Sequence, residues 1–257
     1  MDLKNFYYYF QSALNPEICK NIIDNGNKKI EELKIKGIKT EAETMGQNHK
    51  QALEQINKNI EPLNDKSIYE IKEQKTDLNL NNIYYRDSEI CWMDDQWLYD
   101  LIYPFIHKAN DKAGWKYDFD NSESFQFTKY GINQFYGWHS DGGSDHFSKY
   151  KRAIPGVTLK KDTNKYFKDY VDNKNFIGKI RKLSLTINLN KPDDYEGGNL
   201  KFDFGPHTDK ERFHECIEIR PQGSIIVFPS FLHHQVTPVT KGTRYSLVLW
   251  TLGKPFR

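Results

Sequence analysis

The sequence predicts a mainly β chain with α: a jelly roll core with an N-terminal helical layer. Two observations carry that expectation. Two amphipathic helix patterns precede Gly114, and beyond it the texture changes to short alternating runs separated by turn residues. No internal repeat and no Pro/Gly/Ser linker divides the 257 residues. The organisation expected is therefore one domain, 1–257, with a helical part over 1–115 and a β core over 116–257 that carries an insertion at 142–180.

The elements follow in order. "NPEICKNIIDNGNKKIEEL" opens with Asn15 as N-cap and Pro16 at the first helical position, and Ile18, Ile22 and Ile23 recur at helical spacing. Residues 37–80 are polar and rich in Asn, Lys and Glu, a helix or a loop. In "DDQWLYDLIYPFIHKANDKAG", Trp97, Leu98, Leu101, Ile102, Phe105 and Ile106 form one stripe that Asp94 or Asp95 caps and Gly114 stops, with Pro104 expected to bend it. "ESFQFTKY" and "NQFYGWHSD", on either side of Gly131, read as a hairpin. "RKLSLTINLN" sets Leu183, Leu185, Ile187 and Leu189 against Lys182, Ser184, Thr186 and Asn188, the period of a half-buried strand. "PDDYEGG" is a turn, and "NLKFDF", "GSIIVFP" and "TRYSLVLWTL" are strands.

Composition narrows the function classes. A formal net charge of +2 gives the whole chain no strong footprint for nucleic acid, whose affinity leans on phosphate neutralisation. The average hides an asymmetry: residues 149–182 hold eleven Lys/Arg against three Asp, leaving 26 basic and 32 acidic residues elsewhere. Cys19, Cys91 and Cys216 are single and odd in number, without a CxxC spacing, which fits reduced thiols. The N-terminus lacks the pattern of a signal peptide, and no apolar run approaches the ~18 residues of a membrane span. A cytoplasmic, unsecreted protein is the expectation.

On a strand, residues i and i+2 share a face, so His139 and Asp141 in "FYGWHSDGG" can present an imidazole and a carboxylate to one point. "SFLHHQVTP" supplies His233 and His234, either of which can return beside that pair in a barrel. Two His and one carboxylate on one face of a metal are the facial arrangement of non-haem Fe(II) oxygenases, with positions left open for substrates. A 2-oxoacid can chelate such an iron, and its far carboxylate then needs a cation. Arg244, ten residues after His234, offers a guanidinium fork; Ser246, Val248 and Trp250 share its strand face, and Tyr130 can add a hydroxyl. Each residue also has an ordinary reading: His139 bonded to Asp141, histidines on a surface, an edge-strand arginine, core tryptophans. The conjunction Tyr…His-x-Asp…His…Arg on a chain read as a β-barrel outweighs them.

The stretches "QFTKYGINQFYGWHSD", "RKLSLTINLNKPDDYEGGNL" and "VFPSFLHHQVTPVTKGTRYSLVLW" resemble the Fe(II)/2-oxoglutarate-dependent dioxygenases of the prolyl 4-hydroxylase superfamily, particularly its bacterial and bacteriophage branch. "ALNPEICKNII" and "YRDSEICWMDDQW" are similar to the group's N-terminal helix and following segment. The resemblance implies a double-stranded β-helix with iron ligands His139, Asp141 and His234, the last because only His234 fits the pattern His-x-Val-Thr-Pro. It implies that Arg244 and Tyr130 contact 2-oxoglutarate, and that Arg181 and Trp250 contact a peptide substrate. It also implies O₂ as co-substrate, ascorbate as reductant, and C4 hydroxylation of peptidyl proline in a peptide or protein partner, with succinate and CO₂ as by-products.

Other oxygenase substrates (lysine, a free amino acid, a nucleobase) and a non-catalytic binding jelly roll stay open beside this reading. One departure stands out. The family passes briefly from His-x-Asp to the next core strand, whereas here Gly142 to Ile180 intervene and carry the basic island, as either a substrate-choosing lid or a charged surface excursion. The Lys/Asn/Ile-heavy composition fits an A+T-rich genome, bacterial or viral; a virus-encoded chain would act in the host cytoplasm.

Overall fold

The computed structural model describes residues 5–42, 86–142, 179–206, 208–209 and 211–256. The expectation for residues 37–80 lies outside the described residues from 43 onward, as do the basic island and the insertion over 143–178, and with them the lid.

Helix α1 (Pro16–Ile35) begins where the sequence predicts. Asn15 is extended and its side-chain oxygen accepts from the Ile18 N–H at 2.9 Å, while Pro16 occupies a position whose N–H would have no partner. The helix buries Cys19, Ile22, Gly26 and Ile30. Gly26 is a close approach: a Cβ there would lie 2.5 Å from the Phe127 ring. Helix α2 (Gln96–Lys112) is flanked by Asp95 as N-cap and Gly114, the latter at φ +77. It buries Leu98, Ile102, Ile106 and Ala109, whereas Trp97, expected in the stripe, is 37% exposed. The α-helix continues through Pro104, which lies on its exposed side.

Every strand pairing is antiparallel. The major sheet runs β1 (Tyr8–Phe10), β11 (Ile225–Pro229), β7 (Ile180–Asn188), β14 (Arg244–Gly253), β5 (Phe125–Tyr130) and β3 (Glu89–Met93), with β4 (Asn121–Ser122) also on β14. The minor sheet runs β10 (Phe213–Glu215), β9 (Leu200–Asp203), β12 (His233–Val236), β6 (Phe135–His139) and β2 (Arg86–Asp87). Strands β8 (Tyr195–Gly197) and β13 (Val239–Gly242) form a separate pair. This is the mainly β architecture expected, with two corrections. Strands β1, β2 and β3 lie within the part read as helical; each has at most five residues, too few for a period to show. The segments read as a hairpin join different sheets instead, because the turn closed by Gln134 N–H to the Gly131 carbonyl carries the chain across. A third difference concerns "PDDYEGG", which holds a 3₁₀ turn over Pro192–Asp194 and then β8.

Strand β7 is the most informative departure. Its alternation predicted one wet face, yet Lys182, Ser184, Thr186 and Asn188 are all buried. Leu183, Leu185, Ile187 and Leu189 join Phe125, Phe127, Leu247 and Leu249 in the core that also takes residues of both helices. A smaller core of Leu200, Phe202, Ile226 and Phe228 involves strands of both sheets. The polar side of β7 therefore faces an interior, and that interior contains the site.

Candidate active site

His139 ends β6 and His234 lies opposite it on β12, in register. Asp141 follows two residues later, in a turn held by Gly142 N–H to the Ser230 carbonyl at 2.6 Å. The three side chains are buried, and their potential ligand atoms lie within 4.8 Å of one another. His139 Nε2 is 3.6 Å from Asp141 Oδ1, and His234 Nε2 is 3.6 Å from Asp141 Oδ2. His139 Nδ1 meets the Gly137 carbonyl at 2.8 Å and His234 Nδ1 the Leu232 carbonyl at 2.9 Å. A carbonyl can only accept, so both protons sit on Nδ1 and both Nε2 atoms turn to the cluster, as metal ligation requires. His233, by contrast, is exposed and stands opposite Asp203.

The electrostatics suit a cation. Burial, with His139 beside it, lowers the His234 imidazole to about 4, so its Nε2 lone pair is available at neutral pH. Burial also pushes the Asp141 carboxyl up, but the neighbouring imidazoles and Arg181 outweigh it and hold the group well below the usual carboxylate range. Ser184 Oγ donates to Asp141 Oδ2 at 2.7 Å and lies 3.0 Å from Ser230 Oγ. Having spent its one proton on Asp141, Ser184 takes that of Ser230. Two imidazoles that turn Nε2 inward and an ionised, oriented carboxylate are the donor set that hard-to-intermediate metals such as Fe(II) accept.

Behind the cluster lies a cavity lined by the three donors together with Tyr130, Arg244, Ser246 and Trp250. Register explains the grouping, since Arg244 stands opposite Tyr130, and Ser246 stands opposite Thr128 on one side and Asn188 on the other. Arg244 is 2% exposed, its Nη1 donates to Ser246 Oγ at 3.3 Å, and its guanidinium carbon lies 5.4 Å from the Tyr130 ring centre. Its Nε is buried without a hydrogen-bond partner among the described residues. Space for this side chain depends on Gly198, where a Cβ would come within 2.8 Å of Arg244 Cδ. A buried guanidinium held, among the described residues, only by a hydroxyl calls for an anion, and a carboxylate matches its fork. The residues thus fit both an iron ion and 2-oxoglutarate.

At the same cavity, Trp250 is buried with its indole N–H unpartnered among the described residues, and Trp92 lies 6.2 Å from it, ring centre to ring centre. Arg181 stacks on Trp250 at 4.1 Å and is committed to Glu123 by two contacts of 2.6 Å, so it positions the indole while its charge is already matched. Several neighbours escaped the sequence reading: Ser184 and Ser230 behind Asp141, Glu123 behind Arg181, and Arg86 and Gln126 in the cavity wall. The polar alternation of β7 was a signal for Ser184. Arg86 left none, lying on a two-residue strand.

Residues 125–252 match the family model described as the 2OG-Fe(II) oxygenase superfamily. Among curated proteins, the chain is similar to a PKHD-type hydroxylase of Nitrobacter winogradskyi, 35% identical over 112 residues that cover 38% of this chain and 46% of that protein. A PKHD-type hydroxylase of Janthinobacterium sp. is 31% identical over 126 residues, 48% of this chain and 41% of that protein. The chain thus spans less than half the length of these relatives. Solved structures with the same fold include the viral collagen prolyl hydroxylase of Paramecium Bursaria Chlorella virus-1 in its 2OG complex, with a TM-score of 0.51, 17% identity and 97% of each chain covered. A Pseudomonas putida prolyl-4-hydroxylase matches with a TM-score of 0.52, 16% identity and coverage of 98% and 95%. Motif, donor geometry and family model agree, and the chain belongs to the 2OG-Fe(II) oxygenase superfamily, whose members' name states the metal and the co-substrate.

Proposed function

We propose that this chain is a hydroxylase that uses Fe(II), 2-oxoglutarate and O₂ to oxidise peptidyl proline at C4. The observation that carries the reading is the pairing, in one cavity, of the His139–Asp141–His234 donor set with the under-bonded guanidinium of Arg244. His139, Asp141 and His234 would hold the iron, with Ser184 fixing the carboxylate and two backbone carbonyls fixing the imidazoles. Arg244, Ser246 and Tyr130 would take the far carboxylate of 2-oxoglutarate. Bound together, the metal and co-substrate supply oxidising power for an unactivated C–H bond, releasing succinate and CO₂. The protein's own contribution is to orient the partners and keep water out, which the low exposure of all these side chains favours.

The proline preference rests on a narrower base. Trp250 and the adjacent Trp92 offer flat apolar rings beside the cavity, suited to a pyrrolidine ring, and the unpartnered indole N–H can meet a peptide carbonyl. The superfamily's solved relatives include proteins described as prolyl hydroxylases. The test is succinate formation with Fe(II), 2-oxoglutarate, O₂ and ascorbate, across proline-rich peptides, lysine peptides and single-stranded nucleic acid, with product masses recorded. Stimulation by proline peptides with one oxygen gained on proline is expected. Stimulation by another class moves the substrate, and no iron binding at all leaves a binding jelly roll.

A further inference from the structure

The cavity holds a second cation that the proposed chemistry does not use. Arg86, on the edge strand β2 of the minor sheet, is 7% exposed and reaches across to the major sheet. Its Nε donates to Ser88 Oγ at 3.0 Å, and its Nη2 donates to Gln126 Oε1 at 2.6 Å and Thr128 Oγ1 at 3.3 Å. Its guanidinium carbon lies 4.7 Å from the centre of the Tyr136 ring, which itself stacks on His139 at 3.5 Å. Every one of these partners is neutral, Nη1 has none among the described residues, and no carboxylate among them forms an ion pair with Arg86. Arg86 and Arg244 therefore line one cavity whose only carboxylate among the described residues is Asp141.

Charge decides what Arg86 is for, granting the iron and 2-oxoglutarate reading on which this inference rests. Ferrous iron and dianionic 2-oxoglutarate cancel; Asp141 and Arg244 cancel; among the described residues Arg86 is left over. A guanidinium out of water with only neutral acceptors is unfavourable, and the remedy that matches its fork is a bidentate carboxylate. We infer that the substrate itself carries a carboxylate which Arg86 binds while the carbon to be oxidised faces the metal centre. That carboxylate is the side chain of an acidic residue beside the target, or the α-carboxylate of a target with a free C-terminus. Gln126 and Thr128 position Arg86 by fixing one edge of its fork, and Tyr136 sets its plane relative to His139.

The experiment compares binding of matched probes to the holoprotein under anaerobic conditions, with Fe(II) and 2-oxoglutarate present so that nothing turns over. One pair is an end-blocked Gly-Asp-Pro-Gly peptide and its Asn counterpart; the other is Gly-Gly-Pro with a free C-terminus and its C-terminal amide. Wild type, Arg86→Gln and Arg86→Lys are measured by calorimetry, and 2-oxoglutarate affinity is read separately from the iron–2-oxoglutarate charge-transfer absorbance. Wild type should bind one carboxylate probe about tenfold or more tighter than its amide, as a charge-assisted pair in a buried site would give. Whichever pair shows this identifies the source of the carboxylate. The preference should fall to about twofold or less in Arg86→Gln and partly return in Arg86→Lys, with 2-oxoglutarate binding unchanged. The inference is overturned if neither pair shows a preference in wild type, if the preference survives Arg86→Gln, or if 2-oxoglutarate affinity falls in that variant, which would make Arg86 a co-substrate clamp. Failure of the underlying iron and 2-oxoglutarate reading shows separately, as absence of the charge-transfer band in wild type.

Discussion

The two sides of strand β7 are equally buried and do opposite work. On one side Leu183, Leu185, Ile187 and Leu189 lie in the core shared with the helices; on the other Ser184, Thr186 and Asn188 face polar partners and the cavity. Burial alone would call both sides structural. The difference lies in what each side can satisfy: the apolar side is complete within the protein, whereas the cavity ahead of the polar side keeps an Arg244 Nε and a Trp250 N–H that have no partner among the described residues. Stability should reside on the first side and activity on the second, and substitutions can separate them.

The largest effect is expected at the donor set. His234→Ala removes one of the three proposed ligands and should abolish succinate formation and iron binding, while His233→Ala, its exposed neighbour, should retain most activity. If His233→Ala were the dead variant, the cluster would be misassigned. Next comes Ile187→Ala on the apolar side of β7, where a fully buried side chain leaves a cavity; about 2 to 5 kcal/mol of stability should be lost in denaturant unfolding. Activity per folded molecule should hardly change. Ser184→Ala, one residue pair away on the polar side, should do the converse, lowering iron affinity or turnover about 10- to 100-fold by releasing Asp141 Oδ2, with little change in unfolding midpoint. A stability loss at Ser184 as large as at Ile187 would erase the distinction between the two sides.

Those comparisons also show how far the sequence could be read. The grouping of His139, Asp141 and His234 was legible because its elements are local: His139 and Asp141 are two apart, and His234 is singled out by its own short motif. Arg244 and Tyr130 were legible by their place in the order of motifs, and the sheet pairs them directly. What stayed hidden was set by contacts across the chain. Alternation in "RKLSLTINLN" reports that two sides differ, and does not say whether the polar one meets water or a site. The segments around Gly131 look like hairpin partners because they are neighbours in sequence, yet each completes a different sheet with strands far along the chain. Arg86 and Glu123 gain their meaning only from partners 40 to 58 residues away.

The smallest predicted effect tests whether the helical layer belongs wholly to the stability side. Asn15 caps α1 through a single exposed hydrogen bond to the Ile18 N–H, and that helix buries Cys19, Ile22, Gly26 and Ile30, with Gly26 set against Phe127 of β5. Phe127 belongs to the core cluster, while its strand neighbours Gln126 and Thr128 hold Arg86. Asn15→Ala should cost about 1 kcal/mol, a typical cap value. That corresponds to a fall of roughly 2 to 4 °C in Tm for a domain of this size. Because the lost bond is confined to the first turn of α1, on the far side of the major sheet's apolar core, 2-oxoglutarate affinity and turnover at a temperature well below Tm should equal those of the wild type. A change in either would mean that β5 transmits strain from its apolar side to its polar one, and that the two sides of the sheet are coupled.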